Sequence, residues 1–346
     1  MRVNDDTVDA SAGGSDLRTA DATALQPRVF SPLDLIEVRA PYCALRDVRS
    51  SQPGDATASV HPELPMDMEA GPVCAAEAGR HMAILGSVAC ATHKRESGKR
   101  LYYLAERALL QAPDISEADG AASLLHVSAR CVESRTRVAQ AACELRQTDG
   151  TLLFGLGVTY KLVPEDVFQR LFAAYRVDMR GSPRRAHDTS HAAYHPQRRS
   201  PYRQRIPLTL SSLDARHIRT ELNQIPAEAC AGHFPLYPAL PVAVLMEAFA
   251  NSTGMLLRSF RDNPELRFRV TSADITASRL VFAGQSLVIE GEVVGELSEH
   301  KVEMRMRASL SGGDEVSRAT FVTTVAASHS VAQHARVSTG TLQELA

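Results

Sequence analysis

A chain of 346 residues, 44% hydrophobic and 23% charged, has the composition of a soluble globular protein and the length for two ordinary domains. A formal net charge of −2, with aromatics at 5% and no tryptophan, argues against nucleic acid or an anionic membrane as partner. No apolar run approaches the ~20 residues that span a bilayer, no secretory pattern opens the chain, and the six cysteines form no CxxC pair, so a cytoplasmic chain with reduced thiols is expected.

Residues 1–28 lack periodicity and read as a disordered tail. A first domain over 29–177 is expected to begin with the stretch Ile36 to Val48 and a strand near Ala56–Val60. A loop rich in proline and glutamate then leads to a small-residue helix over Val73–Ala91. Strands follow at Arg100–Leu110, Leu124–Val132, Arg137–Gln147 and Thr151–Leu162. Residues 178–205 are crowded with arginine and proline and read as a basic interdomain linker. A docking strip for an acidic carrier protein or a phosphopantetheine phosphate is the functional alternative there. The spacing of His187, His191 and His195 hints at a metal, but the surrounding prolines and arginines argue against one. A second domain over 206–330 repeats the first plan. Its strands are expected at Ile206–Leu213 and Arg216–Ile225, its buried helix at Val242–Phe260, and further strands at Phe268–Ile275, Ser286–Leu297, Lys301–Leu310 and Ser317–Val325. Gln147–Gly150 and Ser311–Asp314 mark matching hairpin turns, and residues 331–346 form a second tail.

Chemistry concentrates at Gly232-His233-Phe234-Pro235, where an imidazole sits in a loop stiffened by Pro235, Pro238 and Pro241. Glu247 follows fourteen positions later on the apolar helix, and a buried carboxylate needs a partner or a function. A histidine and a carboxyl on rigid elements make a candidate acid/base pair. No GxGxxG or GxxxxGK[ST] sequence supports a nucleotide cofactor, and no metal cluster is evident.

This loop and helix resemble the signature of the hot-dog 3-hydroxyacyl-acyl-carrier-protein dehydratases, GHFPxxPxxPG followed by VLxxEAxAQ. Ala283-Gly284-Gln285-Ser286-Leu287 is similar to the family's PGDxL turn, and Gly313 to Ala319 to its closing strand. Arg39 to Val48 resembles its opening segment, and Lys99 to Ala105 the strand after its helix. The resemblance implies an α+β double hot-dog fold, two long central helices each wrapped by an antiparallel sheet and forming an intrachain pseudo-dimer. Its first hot dog is the more degenerate. The implied activity is lyase chemistry, dehydration of a (3R)-3-hydroxyacyl thioester in fatty acid or polyketide biosynthesis. The implied substrate rides on the phosphopantetheine of acyl carrier protein or coenzyme A, with no cofactor of the protein's own. Alternatives are a hot-dog thioesterase whose helix carboxylate activates water without a loop histidine, an acyl transferase, and a non-catalytic carrier-binding scaffold.

In the family the loop histidine works with the helix carboxylate of the opposite hot dog. The resemblance therefore pairs His233 with Glu77, with the Val242 amide facing the thioester oxygen. A secondary or degenerate site would pair His61 with Glu247. His61 lies sixteen residues before Glu77, and Pro72 stands at the donor position without an N–H. His81, four residues beyond Glu77, and Asn251, four beyond Glu247, are the expected supporting residues. The chain could act alone or as a homodimer.

Overall fold

The computed structural model describes residues 28–29, 32–94, 100–113, 123–177 and 200–325. Thus the tails over 1–28 and 331–346, and the linker histidines, lie outside or almost wholly outside the described residues. Of the linker, residues 200–205 are described, and they carry a short turn in which Tyr202 is buried.

Strand β1 (Arg28–Val29) and the single-turn helix α1 (Pro32–Leu35) precede β2 (Arg46–Ser50) and β3 (Asp55–Val60). Helix α2 (Ala75–Lys94) comes next, then β4 (Leu101–Gln111), β5 (Leu125–Ser134), β6 (Val138–Gln147), β7 (Leu152–Pro164) and α3 (Glu165–Leu171). The second half runs β8 (Thr209–Leu213), β9 (His217–Leu222), α4 (Val242–Phe260), β10 (Phe268–Ala277), β11 (Leu287–Glu296), β12 (Lys301–Leu310) and β13 (Glu315–Val325). Period-two patterning explains the strands. In β12, Val302, Met304, Met306 and Ala308 are buried while Glu303, Arg305 and Arg307 face outward. Gly313, at φ +90°, closes the β12–β13 hairpin in a conformation that side chains resist.

All these strands join one 13-stranded antiparallel sheet, ordered β1-β2-β3-β5-β6-β7-β4-β10-β13-β12-β11-β9-β8. This corrects the expectation of two long central helices each wrapped by its own sheet as a pseudo-dimer. The sheet is single because β4 and β10 pair across the middle, from Arg107↔Thr276 to Gln111↔Ser272. The two long helices share it, and they also touch each other. Helix α2 packs on β3, β5, β6 and β7, and α4 on β9, β11 and β12. The order still reads symmetrically from the centre, with β4-β7-β6-β5-β3 on one side matched by β10-β13-β12-β11-β9 on the other. None of the helices in the described residues is long and apolar enough to cross a membrane.

Candidate active site

The loop bearing His233 is shaped by the first half of the chain. Gly232 has φ +82°, and a Cβ there would stand 2.4 Å from the Arg39 carbonyl oxygen and 2.9 Å from the Tyr42 nitrogen. Only glycine permits that crossing. The Arg39 N–H donates to the Gly232 carbonyl at 2.9 Å, and the Phe234 N–H donates to the Glu37 carbonyl at 3.2 Å. Val38 and His233 form a β-bridge between them. Phe234 anchors the loop in a satellite core with Tyr102, Phe168, Tyr237 and Phe282. Helix α3 supplies Phe168, which stacks on Tyr102 at 3.8 Å between ring centroids.

His233 Nδ1 lies 2.9 Å from the Ala239 carbonyl oxygen. A carbonyl only accepts, so Nδ1 carries the proton and Nε2 keeps its lone pair. Burial pushes the imidazole down to about 4, so the ring is neutral at physiological pH. The ring stacks on Phe234, with centroids 4.0 Å apart, and meets the Tyr42 ring edge-on at 5.1 Å.

A cavity of about 320 Å³ opens from His233 between α2, α4 and the central strands β4, β7 and β10. Its walls are mostly apolar. Ala76, Gly79 and Ala83 leave room on α2, and Met246 and Ala250 face them from α4. Val242 and Ala243, the first turn of α4, line the same space. Pro241 caps that helix without a side-chain hydrogen bond, so its positive end is open to an incoming anion. Helix α2 differs. It begins at Ala75, whose N–H donates to Glu69 Oε1 at 2.7 Å. Glu69 is buried, which pushes its carboxyl up to about 7. The end of α2 is thus filled by the chain's own carboxyl.

Among the described residues no hydrogen bond or ion pair joins Glu77 to His233, and Glu77 does not line the cavity. Glu77 sits roughly a third of a turn away from the cavity face of α2. Its carboxylate accepts from the backbone N–H groups of Glu63 at 2.6 Å and Leu64 at 3.1 Å. Arg80 Nη2 lies 3.5 Å from Glu77 and 2.5 Å from Glu63. Burial alone would raise the Glu77 carboxyl, but contact with His81, the Arg80 charge and the Glu63 amide more than offset it and hold it low. Between this cluster and His233 stands Tyr42, with the Arg80 guanidinium 5.9 Å from the centre of its ring.

His61 and Glu247 are not paired either. His61 is exposed and its Nδ1 bonds the Ser123 carbonyl oxygen. Glu247 is buried on the side of α4 that meets α2, and its Oε1 has no partner among the described residues. Burial pushes it up to about 7 against the charges of Arg205 and Arg80, with Glu77 adding to the rise. His81 is fully buried, with Nε2 3.4 Å from Glu77 and 3.3 Å from Arg80, and burial and Arg80 hold its pKa low. Asn251 is half-buried one turn beyond Glu247 and does not line the cavity. Sequence reasoning missed Glu69, although an acidic residue just ahead of a helix is a recognisable cap signal. It also missed the Glu63–Arg80 pair and the position of Tyr42, for which no pattern in the chain gives a sign. Among the described residues no group of three or more His, Cys, Asp or Glu side chains could hold a metal ion.

Neither a protein-family model nor a curated protein sequence matches this chain. Solved structures match it in shape. The TesB protein of Mycobacterium avium subsp. paratuberculosis aligns with a TM-score of 0.52 at 7% identity, over 81% of this chain and 96% of its own. A hot-dog protein of unknown function from Alicyclobacillus acidocaldarius aligns with a TM-score of 0.51 at 12% identity, over 84% and 99%. A Lactobacillus plantarum protein classed as an oleoyl thioesterase aligns with a TM-score of 0.50 at 10% identity, over 78% and 96%. At such identities the likeness concerns the fold, which is of the hot-dog kind. Nothing in it singles out the dehydratase family.

Proposed function

We propose that the protein hydrolyses acyl thioesters, with the acyl chain in the central cavity and His233 as the general base. The observation that carries this reading is the content of the cavity's His233 end. It holds one neutral imidazole with a free Nε2, beside the first turn of a helix whose end is uncapped by any side chain. Dehydration needs a second titratable group to protonate the departing hydroxyl. The carboxyl expected for that task, Glu77, is held ionised by Arg80 and two backbone amides outside the cavity. Hydrolysis asks less, because a thiolate leaves without an acid.

In the proposed reaction Nε2 of His233 takes a proton from water as the water oxygen bonds to the thioester carbon. The oxyanion so formed faces the Val242 and Ala243 amides at the positive end of α4. Collapse breaks the carbon–sulfur bond, and the departing thiolate takes the proton from the His233 imidazolium, so acid and thiol are released and the neutral ring is restored. A largely apolar cavity suits a fatty acyl chain. Among the shape neighbours, one is named a TesB protein and one is classed as an oleoyl thioesterase. Acyl-coenzyme A, one of the two carriers to which the sequence resemblance points, is the first substrate to test.

Incubation with acyl and 3-hydroxyacyl thioesters of several lengths, followed by mass spectrometry, separates the chemistries. Free acid and thiol are expected, and an enoyl thioester in their place would overturn the reading. His233→Ala should lower kcat/KM by about 10²–10⁴-fold, the usual contribution of a positioned base. In the native protein the acid limb of kcat/KM should lie near pH 4, where the buried ring titrates, well below the ~6.5 of a free histidine.

A further inference from the structure

Five hydroxyl-bearing side chains line the cavity, those of Tyr42, Ser87, Tyr103, Tyr160 and Ser278. Three of them are occupied. Tyr160 donates to the Ala83 carbonyl at 2.5 Å, Ser87 to the Ile84 carbonyl at 2.7 Å, and Ser278 to the Val316 carbonyl at 3.1 Å. Tyr103 is only half-buried, and its hydroxyl feels the Cys90 and Cys131 thiols. Tyr42 is different. It is 6% exposed, stands edge-on to His233, and its hydroxyl makes no hydrogen bond with any described residue. A buried tyrosine hydroxyl ordinarily finds a partner. One left free beside a candidate base, in a mostly apolar cavity, is available for a ligand.

The ring itself is tightly held. Tyr202 packs against it at 5.3 Å between centroids, and the Arg80 guanidinium lies 5.9 Å from its centre. Arg80 is fixed in turn by Glu63 and Glu77. The backbone of Tyr42 is locked by the crossing over Gly232. Placement is therefore rigid while the hydroxyl is unspent, which is how a preorganised donor is built.

We propose that the Tyr42 hydroxyl donates a hydrogen bond to the thioester carbonyl oxygen, and to the oxyanion formed from it, in the site served by His233. The proposal rests on the hydrolase reading and adds a catalytic residue to it. Tyr42 and the first turn of α4 then approach the carbonyl oxygen together. The Glu63–Arg80–Glu77 cluster becomes a positioning device for that tyrosine.

Tyr42→Phe keeps the ring and its contacts and removes only the hydroxyl, so its Tm should match the native protein. Its kcat for acyl-coenzyme A hydrolysis should fall about 10–10³-fold, in the range for loss of one oxyanion donor. KM should change little. A second measurement frees the test from turnover, using binding of two unreactive ligands by calorimetry. S-(2-oxoalkyl)-coenzyme A keeps a carbonyl oxygen near the thioester position, and S-alkyl-coenzyme A lacks one. Tyr42→Phe should bind the ketone at least tenfold more weakly than the native protein and the thioether equally well. Native-like kcat, or equal losses for both ligands, overturns the proposal. If the native protein hydrolyses no thioester yet Tyr42→Phe loses only the ketone, the hydrolase reading falls and the carbonyl contact stands. If the native protein binds neither ligand, both fall.

Discussion

Glu247 is the least satisfied charged group on α4, buried with one carboxyl oxygen unpartnered among the described residues. Burial sets its pKa at about 7, although Arg205 and Arg80 pull it down, and the neighbouring Glu77 charge raises it further. The unfolded chain releases that proton near pH ~4.3. The native state therefore binds the proton more tightly. Its contribution to stability is complete below the unfolded value and is lost as pH rises through about 7. Glu247→Gln keeps the shape and cannot ionise. The variant should melt several degrees above the native protein at pH 8 and close to it at pH 5, since about 1 kcal/mol moves Tm by a few degrees in a chain of this size. Thermal melts at both pH values decide it, and an offset independent of pH would remove Glu247 as the cause. Glu77 behaves oppositely, because its lowered pKa stabilises the fold above the unfolded value and ceases to do so as pH falls.

Helices carry both the legible and the illegible parts of this chain. Val242–Phe260 is continuous, apolar and preceded by a proline, and α4 spans those residues. The small-residue pattern predicts a helix over Val73–Ala91, whereas α2 runs Ala75–Lys94, with the Glu69 carboxyl meeting its first N–H at Ala75. The seven-residue α3 went unread, since so short a helix leaves no clear period, yet its Phe168 anchors the His233 loop. Strand β2, with the charged sequence Arg46-Asp47-Val48-Arg49-Ser50, likewise shows no alternation of apolar residues. At the site, the His233 loop and the start of α4 were legible because proline and glycine fix local geometry. The facing of Glu77 was not. Matching positions in two sequences says nothing about which amides a carboxylate will meet, and here Glu63 and Leu64 claim it. The small residues on α2 have a measurable consequence. A Cβ on Gly79 would meet nothing within 4 Å, and Gly79 lines the cavity. Gly79→Leu should therefore fill cavity space without a backbone clash. Hydrolysis of long acyl thioesters should fall at least tenfold relative to short ones, a difference of about 1.4 kcal/mol in transition-state binding. Rates on a ladder of chain lengths test this, and an equal loss at every length would mean that the acyl chain lies elsewhere.

Across the whole molecule the two halves depend on each other at several places. Strands β4 and β10 pair through the centre of the sheet. Phe268 exchanges backbone bonds with the segment before α2, donating to the Met68 carbonyl at 3.0 Å and accepting from the Ala70 N–H at 2.6 Å. Residues 37–42 clasp the His233 loop. His233, the proposed base, and the uncapped helix end come from the second half, while Tyr42 and the small-residue wall of α2 come from the first. Neither half holds a complete site. The β4–β10 pairing also leaves each half, taken alone, with an exposed sheet edge in what was the centre, and an open edge invites aggregation. Residues 200–346 produced alone are therefore expected to be insoluble or inactive. Produced together with residues 1–177 in the same cells, they should reassemble, because backbone pairing and the shared cavity give the two fragments a common core. Copurification of the fragments with at least a tenth of native hydrolysis would show that the site requires the contact between halves and does not require residues 178–199. Full activity in the second fragment alone would mean that the first half contributes nothing to catalysis, and the roles of Tyr42 and α2 would fall with it.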